Sequence, residues 1–127
     1  MHYFNADLAA ETSIPAKGIL SQTLHDDGLV KAVLFAFAPG EELSAHTAPM
    51  PATLHFLEGR GTLTLGDRTS AVQRGSFAYM PPNLPHAIVA ETGLIMLLVM
   101  IKGLKNRRRG SSGRQSRPGA GSAPGQV

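Results

Sequence analysis

The sequence predicts an all-β fold whose strands close into a barrel or a double sheet, and three observations carry that prediction. Short runs rich in apolar and β-branched residues recur between residues 18 and 102, Gly, Pro, Asp and Asn separate them, and no comparable stretch sustains a helical period. Eight such runs without intervening helices leave many strand edges to satisfy, and closure or sheet stacking is how all-β chains satisfy them.

The elements follow in order. GILSQTLH (18–25) meets the turn DDG and continues in LVKAVLFAFA (29–38), after which PGEEL reads as a turn leading to HTAPMP. ATLHFLE (52–58), GTLTL (61–65) and TSAVQ (69–73) come next, with Gly66 and Asp67 as a two-residue hairpin signal. SFAYM (76–80), the rigid loop PPNLP, HAIVAE (86–91) and LIMLLVMIK (94–102) complete the set, and the N-terminal DLAAE is compatible with one turn of helix. Runs 29–38 and 94–101 are apolar on both faces. A barrel strand needs only its inward face apolar, so their outward faces are expected to meet a second sheet or a second copy of the chain, and a homodimer is predicted.

A chain of 127 residues with 43% hydrophobic content fits one domain with an ordinary core. Three segments are expected: an N-terminal arm (1–17), the β-barrel (18–102) and a tail (103–127). Charge separates the last two. Residues 1–102 hold six bases and nine acids, a balance of −3, whereas the tail holds six Lys and Arg with no acid, or +6. Rich in Gly, Ser, Pro and Arg and poor in large apolar side chains, the tail cannot offset the entropy of ordering and is expected to be disordered. Its NRRRG cluster has the charge to attract nucleic acid or anionic lipid, but no aromatics are interleaved to stack on bases, and a solvated extension is the plainer reading.

With no cysteine there is no disulfide, no thiolate nucleophile and no thiolate metal ligand. The N-terminus lacks a basic segment followed by an apolar run, and the expected location is cytoplasmic. The apolar run 94–101 is far shorter than the roughly 20 residues of a membrane-crossing helix, so no membrane partner is expected.

Two spacings carry a family resemblance. Gly40, His46, Ala48, Ala52 and Gly59 have the spacing of the first cupin motif, Gly-x5-His-x-His-x3-Glu-x6-Gly. Gly75, Pro81, Asn83, His86 and Ala90 match the second, Gly-x5-Pro-x-Gly-x2-His-x3-Asn. Over residues 30–102 the chain therefore resembles a small single-domain cupin of the RmlC-like type, which implies a double-stranded β-helix, or jelly-roll barrel, with both motifs inside it. The resemblance also implies a divalent transition metal (Fe, Mn, Ni, Cu or Zn) held by two His and one Glu of the first motif and one His of the second. His46 and His86 stand at two of those positions; Ala48 and Ala52 stand at the others.

Two imidazoles alone hold a divalent ion loosely, since catalytic zinc takes three protein ligands and the iron facial triad two His and a carboxylate. Glu58 shares strand parity with Ala52 but lies about 20 Å farther along an extended chain, outside any common coordination sphere. His55 is nearer. Three residues from Ala52, it faces outward in a regular strand and becomes a third ligand only if a bulge between the two turns it inward. Leu54, Phe56 and Tyr79 are expected to line the cavity, while His2 and His25 read as ordinary exposed residues.

Two functions of different class fit. One is a metal-assisted enzyme, its ion on His46 and His86 with or without His55, and its substrate excluded from bulk water by the barrel wall. The other is a non-catalytic module that binds a small molecule without metal, the imidazoles serving as hydrogen-bond partners. No paired carboxylates at catalytic spacing and no relay behind Ser44, Thr47 or Ser76 point to other chemistry, so neither reaction nor substrate is assigned.

Overall fold

A computed structural model describes residues 2–103; the expectations for the tail otherwise lie outside the described residues. Nine strands follow a short 3-10 turn, Leu8–Glu11. They are β1 (Ile19–Asp26), β2 (Val30–Phe37), β3 (Glu42–His46), β4 (Ala52–Glu58), β5 (Arg60–Leu65), β6 (Arg68–Gln73), β7 (Phe77–Met80), β8 (His86–Ala90) and β9 (Leu94–Ile101). Every pairing is antiparallel. One sheet has the order β1-β2-β9-β4-β7 and the other β3-β8-β5-β6, so neighbours in space are often distant in sequence, as in a jelly roll.

The alternation of side chains builds the core. Phe37, Ala52, Leu54, Phe56, Leu63, Val72, Met80, Ile88, Ala90, Leu94 and Met96 form one buried cluster between the sheets. Residues of opposite parity on β2 and β9 form a second, smaller cluster on the outer face, where Leu34, Ala36 and Ile95 pack with Ala9, Leu24, Leu57 and Leu97. The twofold apolar character of these strands thus has a local cause in part: the N-terminal arm of the same chain packs on that face through Ala9. Ile14 of the arm also sits where a Cβ on Gly93 would meet its side chain at 2.9 Å.

Turn chemistry sets the registers. Leu65 pairs with Arg68 around Gly66, whose φ of +63° suits a two-residue hairpin. Gly59 joins β4 to β5 at φ +88°, and a Cβ there would lie 2.0 Å from the Gly93 carbonyl oxygen, so both conformation and space require glycine. At the β1–β2 turn Asp27 accepts hydrogen bonds from the amides of Leu29 and Val30 at 2.9 and 3.0 Å, and His25 Nε2 lies 3.1 Å from its other oxygen. His25 is accordingly half-buried, against Tyr3, rather than a freely exposed side chain.

One element departs from the sequence reading. PGEEL was expected to be a turn, yet Glu42 and Leu43 already belong to β3, where they pair with Val89 and Ile88. Its lone apolar side chain, Leu43, packs on the inter-sheet core, too weak an alternation to announce a strand.

Candidate functional site

His46 ends β3 and His86 begins β8, and the two are paired across the sheet. Their rings lie 4.1 Å apart between centroids with an interplanar angle of 59°. A register shift makes this meeting happen. From Leu43↔Ile88 to His46↔His86, β3 advances three residues while β8 advances two, the signature of one extra residue on β3. Leu43 and Ile88 both belong to the core side of the sheet, and in an unbroken strand the odd separation would send His46 to the other face. The bulge returns it to the side of His86. His86 is buried, with 8% of its surface exposed, and His46 stands at the open rim.

Each ring is oriented by the carbonyl two residues before it. His46 Nδ1 lies 2.9 Å from the carbonyl oxygen of Ser44, and His86 Nδ1 lies 3.0 Å from that of Leu84. A carbonyl oxygen only accepts, so both Nδ1 atoms carry the proton, and in the neutral rings the free lone pair falls on Nε2. Backbone-held Nδ1–H with a free Nε2 is the arrangement by which proteins orient imidazole ligands.

The loops around the pair are tied together. The Asn83 amide, at φ +66°, donates to the Ala48 carbonyl at 2.7 Å, and the Gly66 amide donates to Pro85 at 2.8 Å. Ala52, at the position where the resemblance implied a carboxylate, is buried, with Met80 of β7 and Met100 of β9 as its partners on either side.

The remaining candidates divide. Leu54 and Phe56 face inward and are each 1% exposed in the inter-sheet core. His55 does not join the pair: β4 runs in unbroken register from Ala52 to Phe56, and its irregularity falls later, between Phe56 and Glu58. Regular pleating leaves His55 on the outer face, edge-on to Phe77 at 6.1 Å. The bulge that His55 required exists in β3 instead. Tyr79 is likewise corrected from cavity wall to outer surface, 56% exposed, because it alternates with the buried Met80 on β7. Glu58 belongs to a separate cleft of about 510 Å3 between the arm and β4, with Asn5, Asp7 and Arg74. Among the described residues no three His, Cys, Asp or Glu side chains come together to hold a metal ion. The donor set therefore does not fit the shell of three His and one Glu that the resemblance implied.

With this geometry in hand, comparison with known proteins is informative. A family model described as a cupin domain matches residues 33–102, more than half of the chain. The chain belongs to the cupin family. A conserved protein of unknown function from Streptococcus pyogenes is similar at 31% identity, over 80% of this chain and 90% of that one, with a TM-score of 0.72. A cupin superfamily protein from Desulfitobacterium hafniense has a TM-score of 0.71 at 24% identity, over 74% of this chain and 86% of that one. An RmlC-like cupin from Desulfovibrio desulfuricans has the same score and identity, over 80% and 98%. The last two likenesses speak for the fold alone. No curated protein sequence matches this cupin. What sequence reasoning passed over here is the methionine pair beside Ala52, because strand partnership between residues 52, 80 and 100 is a tertiary fact with no local signal.

Proposed function

We propose that this cupin is an ion-binding protein whose site is the His46–His86 pair, with a small molecule or water completing the coordination and no reaction assigned. One observation carries the reading: both Nδ1 atoms are committed to backbone carbonyls while the ring centroids lie 4.1 Å apart, leaving Nε2 of each of two neighbouring rings free to accept. Side chains held this way are pre-oriented for an electron-pair acceptor, and a metal ion is the strongest one available to imidazole. Metal content is the test, measured on protein purified without an affinity tag and then supplemented. About one ion per chain in the parent, lost in His46→Ala and in His86→Ala, is the expected result, and a metal-free parent after supplementation would refute it.

A second reading has its own support. Alanine at 48 and 52 leaves the wall beside the pair small and uncharged, which suits a metal-free module binding a neutral small molecule that donates hydrogen bonds to Nε2. The homodimer and the cytoplasmic location belong to the same proposal. The exposed Phe77 and Tyr79 on the outer face support the first, and the cysteine-free sequence, which requires no oxidising compartment, supports the second. Among the described residues no helix is long and apolar enough to cross a membrane.

A further inference from the structure

The two nitrogens have sulfur nearby. Residues directly opposite one another on adjacent antiparallel strands share a face, so Met80 and Met100, the two partners of Ala52, point to the same side as it does. That side is the interior: Ala52 and Met80 are buried in the inter-sheet core, and Met100 packs against it. Connectivity places both thioethers at the histidines' end of the barrel. Only residues 47–51 separate His46 from Ala52, and only residues 81–85 separate Met80 from His86. The Asn83–Ala48 hydrogen bond joins these two loops, and the Ile101 amide donates to Pro51 at 3.0 Å, which holds the end of β9 to the same place.

The same end of the barrel thus carries two histidines and two inward-facing methionines, and among the described residues no carboxylate joins the histidines. All four donors are neutral. A divalent ion would carry its whole charge into an apolar wall, and because the desolvation cost rises with the square of the charge, a monovalent ion is penalised about fourfold less. Imidazole serves Zn and Fe as well as Cu, but a neutral thioether is a soft donor that suits Cu(I) better than Fe or Mn, which prefer harder ligands, and better than Zn, which takes its sulfur as charged thiolate. Alanine at 52 puts only a methyl group between the two methionines, whose flexible side chains can bring sulfur to an ion without rearranging the backbone.

We infer that the site takes a soft monovalent cation, Cu(I), on Nε2 of His46 and His86 and on the sulfurs of Met80 and Met100. This inference rests on the ion-binding reading of the histidine pair and replaces a divalent metal with a monovalent one.

The full chain, tag-free and anaerobic, is titrated with Cu(I) in competition with bicinchoninate, and with Zn2+ in parallel. The variants are Met80→Leu, Met100→Leu, the double replacement, and His46→Ala with His86→Ala. Leucine nearly conserves volume, so the barrel is expected to keep its circular dichroism. One Cu(I) per chain is expected, held in preference to Zn2+, weakened about tenfold or more by each leucine. X-ray absorption should show Cu–S scattering that the double replacement removes. Should a leucine variant misfold, Ag(I) added to the parent reads the same contact through the Met80 and Met100 methyl resonances, and unmoved resonances overturn the proposal. Parent-like Cu(I) affinity in the double leucine variant, with dependence on the histidines intact, removes the sulfur donors and leaves the histidine reading standing. Binding that also survives loss of both histidines removes both.

Discussion

Asp27 illustrates how a single exposed side chain fixes a turn. Amide donation by Val30 and then Leu29, followed by the contact with His25, holds its carboxyl far below the ordinary value of 3.8. The fold thus favours the ionised form. Its contribution to stability is complete above the ordinary aspartate range and is lost as the pH drops below 3.8 toward the depressed value of the folded state. Asp27→Ala is accordingly expected to melt at a lower temperature than the parent at neutral pH, with the difference shrinking below about pH 4 in thermal scans. Asp27→Asn, which keeps an acceptor oxygen for the two amides, should fall between them. A difference that does not change with pH would mean that the carboxylate charge is irrelevant to the turn.

At the scale of elements, the register of β3 against β8 decides whether a site exists. Deleting Ala45 restores equal advance on β3 and β8 and places His46 two residues from Leu43, so regular pleating keeps its imidazole on the core side without a bulge. That variant is expected to keep its β-sheet circular dichroism and its ion binding, whereas deleting Ser44 and Ala45 together puts the ring on the opposite face and should lose binding as completely as His46→Ala; retained binding there would show that pairing had slipped to compensate. The same bulge marks the border of what the residues disclosed beforehand. Most strands and the barrel class were readable because β2, β4, β5, β8 and β9 carry strong alternation or unbroken apolar runs between Gly and Pro. The strand β3 was not, since only Leu43 in Glu42–His46 reaches the core. His55 was rightly made conditional on an irregularity, but nothing local says on which of two consecutive strands, β3 or β4, an extra residue will lie. Tyr79 was misplaced for a different reason: a four-residue strand offers two alternations at most, and aromatic character favoured neither face.

For the molecule as a whole, the outer face of the five-stranded sheet is covered unevenly. The arm protects Leu34, Ala36 and Ile95, whereas Phe77 at 64% and Tyr79 at 56% exposure stand open beside His55, in rows continuing into half-buried Leu97 and Val99. Phe77, Tyr79, His55, Thr53, Leu97 and Val99 include no Lys, Arg, Asp or Glu, so this patch opposes an identical one without the repulsion of such charges, which fits an isologous contact between two copies. Light scattering at micromolar concentration should therefore give the mass of a dimer, and Phe77→Asp with Tyr79→Asp should give a monomer with an unchanged β-sheet spectrum. A monomeric parent would end the dimer proposal.

The stitch from the Asn83 amide to the Ala48 carbonyl bears on kinetics. Because the lips of the mouth are already fastened to each other, an arriving guest finds a finished rim and little chain entropy remains to be surrendered on docking. Association should accordingly proceed in one fast exponential, free of the slow phase that a closing flap would add, and cutting the fastening with Asn83→Pro should create that phase.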